Sequence, residues 1–176
     1  SNGGIIDLSG LTTITGSPDL NDWLTFLPQT SGTIDLSSLA TITRYTRFIV
    51  EVPVFSLPAL QSASDTTFHA LSGNRIEAPA FASANNCSIE INDGARMDAP
   101  NLRTFTNSSM NLNPTRFWNA PAFTNFNGSA LGVFGGTHLA VAATSFTNSR
   151  YWSSLWTADG VGSVLDLSSV GSITDN

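Results

Sequence analysis

The sequence predicts an all-β chain wound as a right-handed parallel β-helix (a β-solenoid) of about eight coils with a mostly 21-residue period. Three observations predict it. The block Ile76-Glu77-Ala78-Pro79-Ala80-Phe81 returns as Met97-Asp98-Ala99-Pro100-Asn101-Leu102 and as Trp118-Asn119-Ala120-Pro121-Ala122-Phe123, each copy 21 residues after the last. A fixed period of that length marks a chain coiling into similar turns. Short runs such as Ile89-Glu90-Ile91 alternate apolar and polar residues, which is the strand signal. Ser72-Gly73-Asn74, Asn92-Asp93-Gly94, Asn113-Pro114 and Gly135-Gly136 separate these runs at matching places, so each coil bends at the same angle.

The coils follow in order. Stepping back by 21 from Ile76 and Ala78 reaches Phe55 and Leu57, then Ile34 and Leu36; Ile6 with Leu8 lies 28 earlier. Forward, Leu139 with Val141 keeps the step of 21, and Leu165 with Leu167 follows after 26. A second apolar column is Leu11, Leu39, Leu60, Phe81, Leu102, Phe123, Phe146 and Val170. A third holds Ile14, Ile42, Ala63, Ala84, Phe105, Phe126 and Ile173. A fourth pair precedes each coil: Leu24/Phe26, Phe68/Ala70, Ile89/Ile91, Met110/Leu112 and Leu131/Val133. Phe48 with Val50 fits only after a one-residue slip. At ~4.8 Å per coil the rod is roughly 35–40 Å long. A leucine-rich repeat is the nearest competing fold, but it needs a helix or 3₁₀ segment on one side of each coil. Thr104-Phe105-Thr106-Asn107-Ser108-Ser109 and its equivalents are poor helix formers.

The chain reads as a single domain over 1–176, with irregular insertions near 17–29 and 148–162. Ser17-Pro18-Asp19 is a plausible helix start ahead of Trp23, Leu24, Phe26 and Leu27. The second insertion carries Tyr151, Trp152, Leu155 and Trp156. Open solenoid ends expose strand edges and core, so these aromatics are expected to cap or side-pack. The sharper alternative is a binding platform, for which Trp152 with Trp156 is the better candidate.

Charged residues make up 11% of the chain, against a usual ~25%. Solubility therefore rests on Ser, Thr and Asn, a composition common in secreted β-structures. All seven basic residues are Arg, and the net charge is −6, which argues against a nucleic-acid partner. No apolar run approaches the ~20 residues of a membrane span. No signal peptide is visible, and Ser1-Asn2-Gly3-Gly4 reads as an excised domain start. The single Cys87 excludes an internal disulfide. It shares a column with Thr66, Ser108 and Ser129 and is expected to be an inert, inward-facing thiol. No His, Cys, Asp and Glu grouping has metal-ligand spacing, and no cofactor is expected.

Three segments are near copies: Ile6-Asp7-Leu8-Ser9-Gly10-Leu11-Thr12-Thr13-Ile14-Thr15, Ile34-Asp35-Leu36-Ser37-Ser38-Leu39-Ala40-Thr41-Ile42-Thr43, and Leu165-Asp166-Leu167-Ser168-Ser169-Val170-Gly171-Ser172-Ile173-Thr174. This rhythm resembles tandem β-helix repeats of very large secreted bacterial surface proteins, notably of the planctomycete kind. More distantly, Leu57-Pro58-Ala59-Leu60 and Ala99-Pro100-Asn101-Leu102 are similar to coils of receptor L-domain-like β-helices. The resemblance implies an extracellular or cell-surface β-helix, adhesion or ligand binding, and neighbouring repeat domains of a larger chain. It brings no catalytic residues.

Outward residues of a solenoid stack into ladders at ~4.8 Å. One ladder reads Asp7, Asp35, Ser56, Glu77, Asp98, Asn119, Ala140, Asp166; the one beside it reads Thr33, Val54, Arg75, Arg96, Phe117, His138. Arg75, Glu77, Arg96, Asp98, Phe117 and Asn119 should therefore share one exposed face. Three readings compete for it. It can be a self-neutralising charge pattern on a solvated sheet. It can be a ligand groove in which Phe117 stacks on a sugar ring while Arg and acid groups bond its hydroxyls or carboxylates. Or Glu77 and Asp98, ~5 Å apart, can act as a glycosidase-type carboxylate pair, by analogy of fold alone. The sequence favours a non-catalytic module, an adhesin or spacer, with polysaccharide or a cell-surface glycan as candidate ligand at Arg75, Asp98 and Phe117. A polysaccharide-cleaving glycoside hydrolase or lyase using Glu77 and Asp98 is the alternative.

Overall fold

A computed structural model describes residues 3–19, 21–29, 31–113, 123–148 and 154–175. The described residues form 21 strands and no helix. Every strand pair is parallel, so the chain is a parallel β-solenoid with three sides.

The first side carries Ile5–Asp7 beside Thr33–Asp35, then Val54–Ser56, Arg75–Glu77 and Arg96–Asp98 as a second sheet, then His138–Ala140 beside Val164–Asp166. The second side stacks Thr13–Thr15, Thr41–Thr43, Ser62–Ser64, Ser83–Asn85 and Thr104–Thr106, with Ser145–Asn148 beside Ser172–Asp175 further on. The third is a seven-stranded sheet: Leu24–Phe26, Thr46–Val50, Thr66–Ala70, Ser88–Ile91, Ser109–Leu112, Ala130–Phe134 and Trp156–Asp159. The longest sheet stacks seven strands among the described residues, fewer than the about eight coils expected, because the last copy of the repeat supplies strands to the first and second sides only.

Each corner has a local cause. After the first side an N–H to C=O bond closes a four-residue turn from Leu57 to Leu60 (3.2 Å), Ala78 to Phe81 (3.1 Å) and Ala99 to Leu102 (3.0 Å). Pro58, Pro79 and Pro100 occupy the second position, where a fixed φ suits the turn. Between the second and third sides, Arg44, Asp65, Asn86, Asn107 and Gly128 all have positive φ (63°, 49°, 53°, 51° and 66°). Asn, Asp and Gly tolerate this left-handed conformation, and the five positions keep the 21-residue step. The third corner turns at Gly73 and Gly94, with φ of 79° and 72°.

The core is continuous along the rod. Phe26, Phe48 and Phe68 stack at 5.1 and 5.5 Å between centroids with planes within 12°. Ile76 aligns with Met97, Ile89 with Met110 and Ile91 with Leu112, all buried. Behind the left-handed corner a buried polar ladder forms from Thr46, Thr66, Cys87, Ser108 and Ser129. Ser108 Oγ donates to Thr106 O (2.7 Å) and accepts the N–H of Cys87 (2.9 Å); Ser129 Oγ accepts the N–H of Ser108 (3.1 Å). These bonds satisfy groups that burial would otherwise leave costly.

Two expectations are corrected. Ser17-Pro18-Asp19 does not start a helix: Ser17 Oγ accepts the N–H of Asp19 and Asp19 accepts that of Asn21, both at 3.1 Å, and Leu24–Phe26 follows as a strand. The stack of Phe26 on Phe48 rewards that strand more than propensity rewards a short helix. The stretches 17–29 and 148–162 are also not purely irregular, since each supplies a strand to the long sheet. The slip at Phe48 is real: Thr46 pairs with Thr66 and Phe48 with Phe68, 20 residues apart. Arg44 and Asp65 keep the step of 21, so Tyr45 is the inserted residue.

Candidate functional site

The first side brings four of the expected site residues together. Arg75 aligns with Arg96 and Glu77 with Asp98 on neighbouring strands. Like charges thus face each other, which costs stability unless counter-charges intervene. They do: Arg75 Nη1 lies 2.8 Å from Glu77 Oε1, while its Nε donates across the strands to Asp98 Oδ2. Arg96 Nε approaches the same Asp98 oxygen at 3.4 Å. The Asp98 side chain is 14% exposed and the other three are about a third exposed, so each pair contributes about 0.2–1 kcal/mol. Both carboxylates are engaged by Arg75. Phe117 and Asn119, expected on the same face, lie outside the described residues.

Trp152 also lies outside the described residues. Trp156 does not form a platform facing solvent. It pairs with Leu131 in the long sheet, its ring sits 4.7 Å from Phe146 and 5.7 Å from Phe126, and its Nε1 donates to Ser129 O at 3.1 Å. It covers the end of the core. Cys87 is buried and its Sγ lies 3.4 Å from Ala63 O and 3.5 Å from Asn85 O. Burial pushes the thiol up to about 12, as desolvation disfavours a thiolate. Among the described residues no three His, Cys, Asp or Glu side chains converge as a metal site, and no helix is long and apolar enough to cross a membrane.

The structure reveals an aromatic cluster that the repeat alone does not show. Tyr45, the inserted residue, meets Trp23 edge-on at 5.5 Å and 69°, and the Arg47 guanidinium covers the indole at 4.8 Å. All three are half-buried. The two rings open onto a groove of about 240 Å³ that continues along Asp65, Thr67, Asn86 and Ser88. Asn86 Nδ2 donates to Asp65 Oδ1, fixing both at the rim. The groove therefore combines fixed aromatic rings with hydroxyl, amide and carboxylate groups at its floor and edge. The signal that could have found it is the one-residue slip: an insertion into a fixed period must bulge outward, and this one is a tyrosine.

A larger cleft of about 400 Å³ opens on the first side, where no ladder joins Thr33–Asp35 to Val54–Ser56. Thr33, Asp35, Ser37 and Ser56 line it together with Pro28, Val52, Val54 and Pro58, and its one aromatic, Phe55, is buried. It offers no exposed ring on which a sugar could stack.

Fold and groove together define a parallel β-solenoid carrying a shallow surface site. No family model matches the chain, and comparison with curated proteins and with solved structures finds no match.

Proposed function

We propose that this chain is a non-catalytic, extracellular β-helix module of a larger surface or secreted protein, a spacer or adhesin that binds carbohydrate in the groove of Trp23 and Tyr45. The observation that carries the reading is that groove: two aromatic rings, one clamped by Arg47, beside a row of hydrogen-bonding groups. Sugar rings present apolar C–H faces and equatorial hydroxyls, and such a surface offers partners to both. At about 240 Å³ the groove is smaller than the roughly 300–1,000 Å³ of pockets that enclose a ligand, which suits a glycan lying across it. The low charge and the Ser-, Thr- and Asn-rich surface support an extracellular setting.

The charged face supports the non-catalytic part of the reading. A charge pattern that neutralises itself accounts for this face, since Arg75 pairs with both Glu77 and Asp98. A glycan array combined with a reducing-sugar release assay tests the proposal. Binding without release supports it. Release that disappears in Asp98→Asn replaces it with the polysaccharide-cleaving alternative.

A further inference from the structure

The second side presents an outward surface unlike the other two. In each of its first five strands the central residue (Ile14, Ile42, Ala63, Ala84 or Phe105) is buried, so the residues on either side of it face solvent. Thr13, Thr41, Ser62, Ser83 and Thr104 form one outward column. Thr15, Thr43, Ser64, Asn85 and Thr106 form the second. Further along the rod the same pattern aligns Ser145 with Ser172 and Thr147 with Thr174. None of these residues is charged and none carries a ring. The first side, by contrast, turns Arg75, Glu77, Arg96 and Asp98 outward, and the third turns out Arg47, His69 and Glu90. Arg44, Asp65 and Arg103 stand at the margins of the second side, just outside its strands.

Spacing makes this face a grid. Neighbouring strands lie ~4.8 Å apart and alternate residues of one strand ~6.7 Å apart. Both intervals lie close to repeats between oxygen atoms in ice. The second column is partly held in place: Thr43 Oγ1 lies 3.3 Å from Thr15 Oγ1, and Thr106 Oγ1 donates to Asn85 Oδ1 at 3.2 Å. The five hydroxyls of the first column bond no described protein group, so water satisfies them. Hydroxyls at fixed intervals hold their waters at the same intervals. Immobilising a water costs up to about 2 kcal/mol, and waters already held in rows lose little more freedom on joining a lattice.

We infer that the second side binds ice, its rows of held water merging with the surface of a growing crystal. A charged partner finds no counter-charge between the margins of this face, and a sugar ring finds no aromatic to stack on. A water lattice needs only small side chains with hydrogen-bonding groups at regular intervals. The face is separate from the groove of Trp23 and Tyr45, and neither assignment depends on the other.

Ice growth in solutions of the whole chain, from micromolar to millimolar concentration, tests the inference. Nanolitre osmometry reads the gap between melting and freezing points, and grain size in an annealed frozen film gives a second readout. The wild type should open a gap, facet the crystals and keep the grains small. Ser62→Tyr and Ser83→Tyr each raise a bulky ring from the middle of the grid and should abolish these effects, with the β-type circular dichroism spectrum and melting temperature unchanged. Ser62→Thr keeps the hydroxyl and should retain them. Ala140→Tyr puts the same ring on an exposed position of the first side and should also retain them. A wild type that leaves ice growth unaltered overturns the inference. So does activity that persists in either folded second-side tyrosine variant, or that Ala140→Tyr removes as well.

Discussion

Tyr45 stands edge-on to Trp23, 5.5 Å between ring centroids, and it is the residue by which one coil departs from the period of the next. Where neighbouring coils pass directly from the left-handed corner residue into the third-side strand, as Asp65 to Thr66 does, this one places a tyrosine between Arg44 and Thr46. The insertion costs the core nothing visible, because Thr46 and Phe48 re-enter register at once. Tyr45→Ala should therefore leave thermal unfolding nearly unchanged while weakening glycan binding at least about fivefold, roughly 1 kcal/mol. Calorimetric titration beside a melting curve checks both halves.

Arg75 is the hub of the charged face. Arg75→Ala leaves Glu77 opposite Asp98 with only Arg96 near, and should lower stability by about 0.5–1 kcal/mol after allowance for solvent screening. Urea unfolding at low and high salt reads this. The gap to the wild type should change with salt, as expected for partly exposed charges.

Cys87 replaces a hydroxyl in the buried corner ladder. Its thiol has an ordinary value of 9.0 and is raised to about 12 in the fold by burial. Between those values the unfolded chain loses the proton and the folded one keeps it, so stability is intact below about pH 9 and falls as pH rises toward 12. The slope contributed is at most about 1.4 kcal/mol per pH unit. Cys87→Ser, which restores the hydroxyl found at Ser108 and Ser129, should remove that part of the alkaline slope. Comparing urea midpoints of the two proteins across this range isolates it.

The left-handed corner sets a rule for substitution. Asn86 has φ of 53°, and a side chain branched at Cβ is disfavoured there. Asn86→Gly should change stability by no more than about 0.5 kcal/mol, losing the bond to Asp65 but gaining backbone tolerance. Asn86→Val should cost about 1–2 kcal/mol. Chemical unfolding of the pair provides the comparison.

Much of the fold was legible because a solenoid repeats its causes. Ile76 and Met97, or Ile89 and Met110, occupy equivalent environments, so period alone finds the core and strand register alone finds Arg75 beside Arg96. Side-chain reach is not periodic. Spacing makes Arg75 and Asp98 diagonal neighbours but does not say that Arg75 reaches both Asp98 and Glu77, or that Trp156 turns inward onto Phe146. Ser17-Pro18-Asp19 carried a local helix signal that the Phe26–Phe48 stack overrode. The groove was half legible: Trp23 stands among the aromatics of 17–29 for which a platform was an alternative, whereas Tyr45 lies off the repeat columns and carries no periodic signal.

The most direct test of the central claim is calorimetric titration of a glycan selected on the array into the wild type, Trp23→Ala, Tyr45→Ala and Arg75→Ala. A carbohydrate site in the groove gives the same saturable binding in the wild type and in Arg75→Ala, and binding at least about fivefold weaker in the other two. Saturable binding that keeps its strength on loss of Trp23 and Tyr45, or that only Arg75→Ala weakens, contradicts the assignment and moves the site to the charged face.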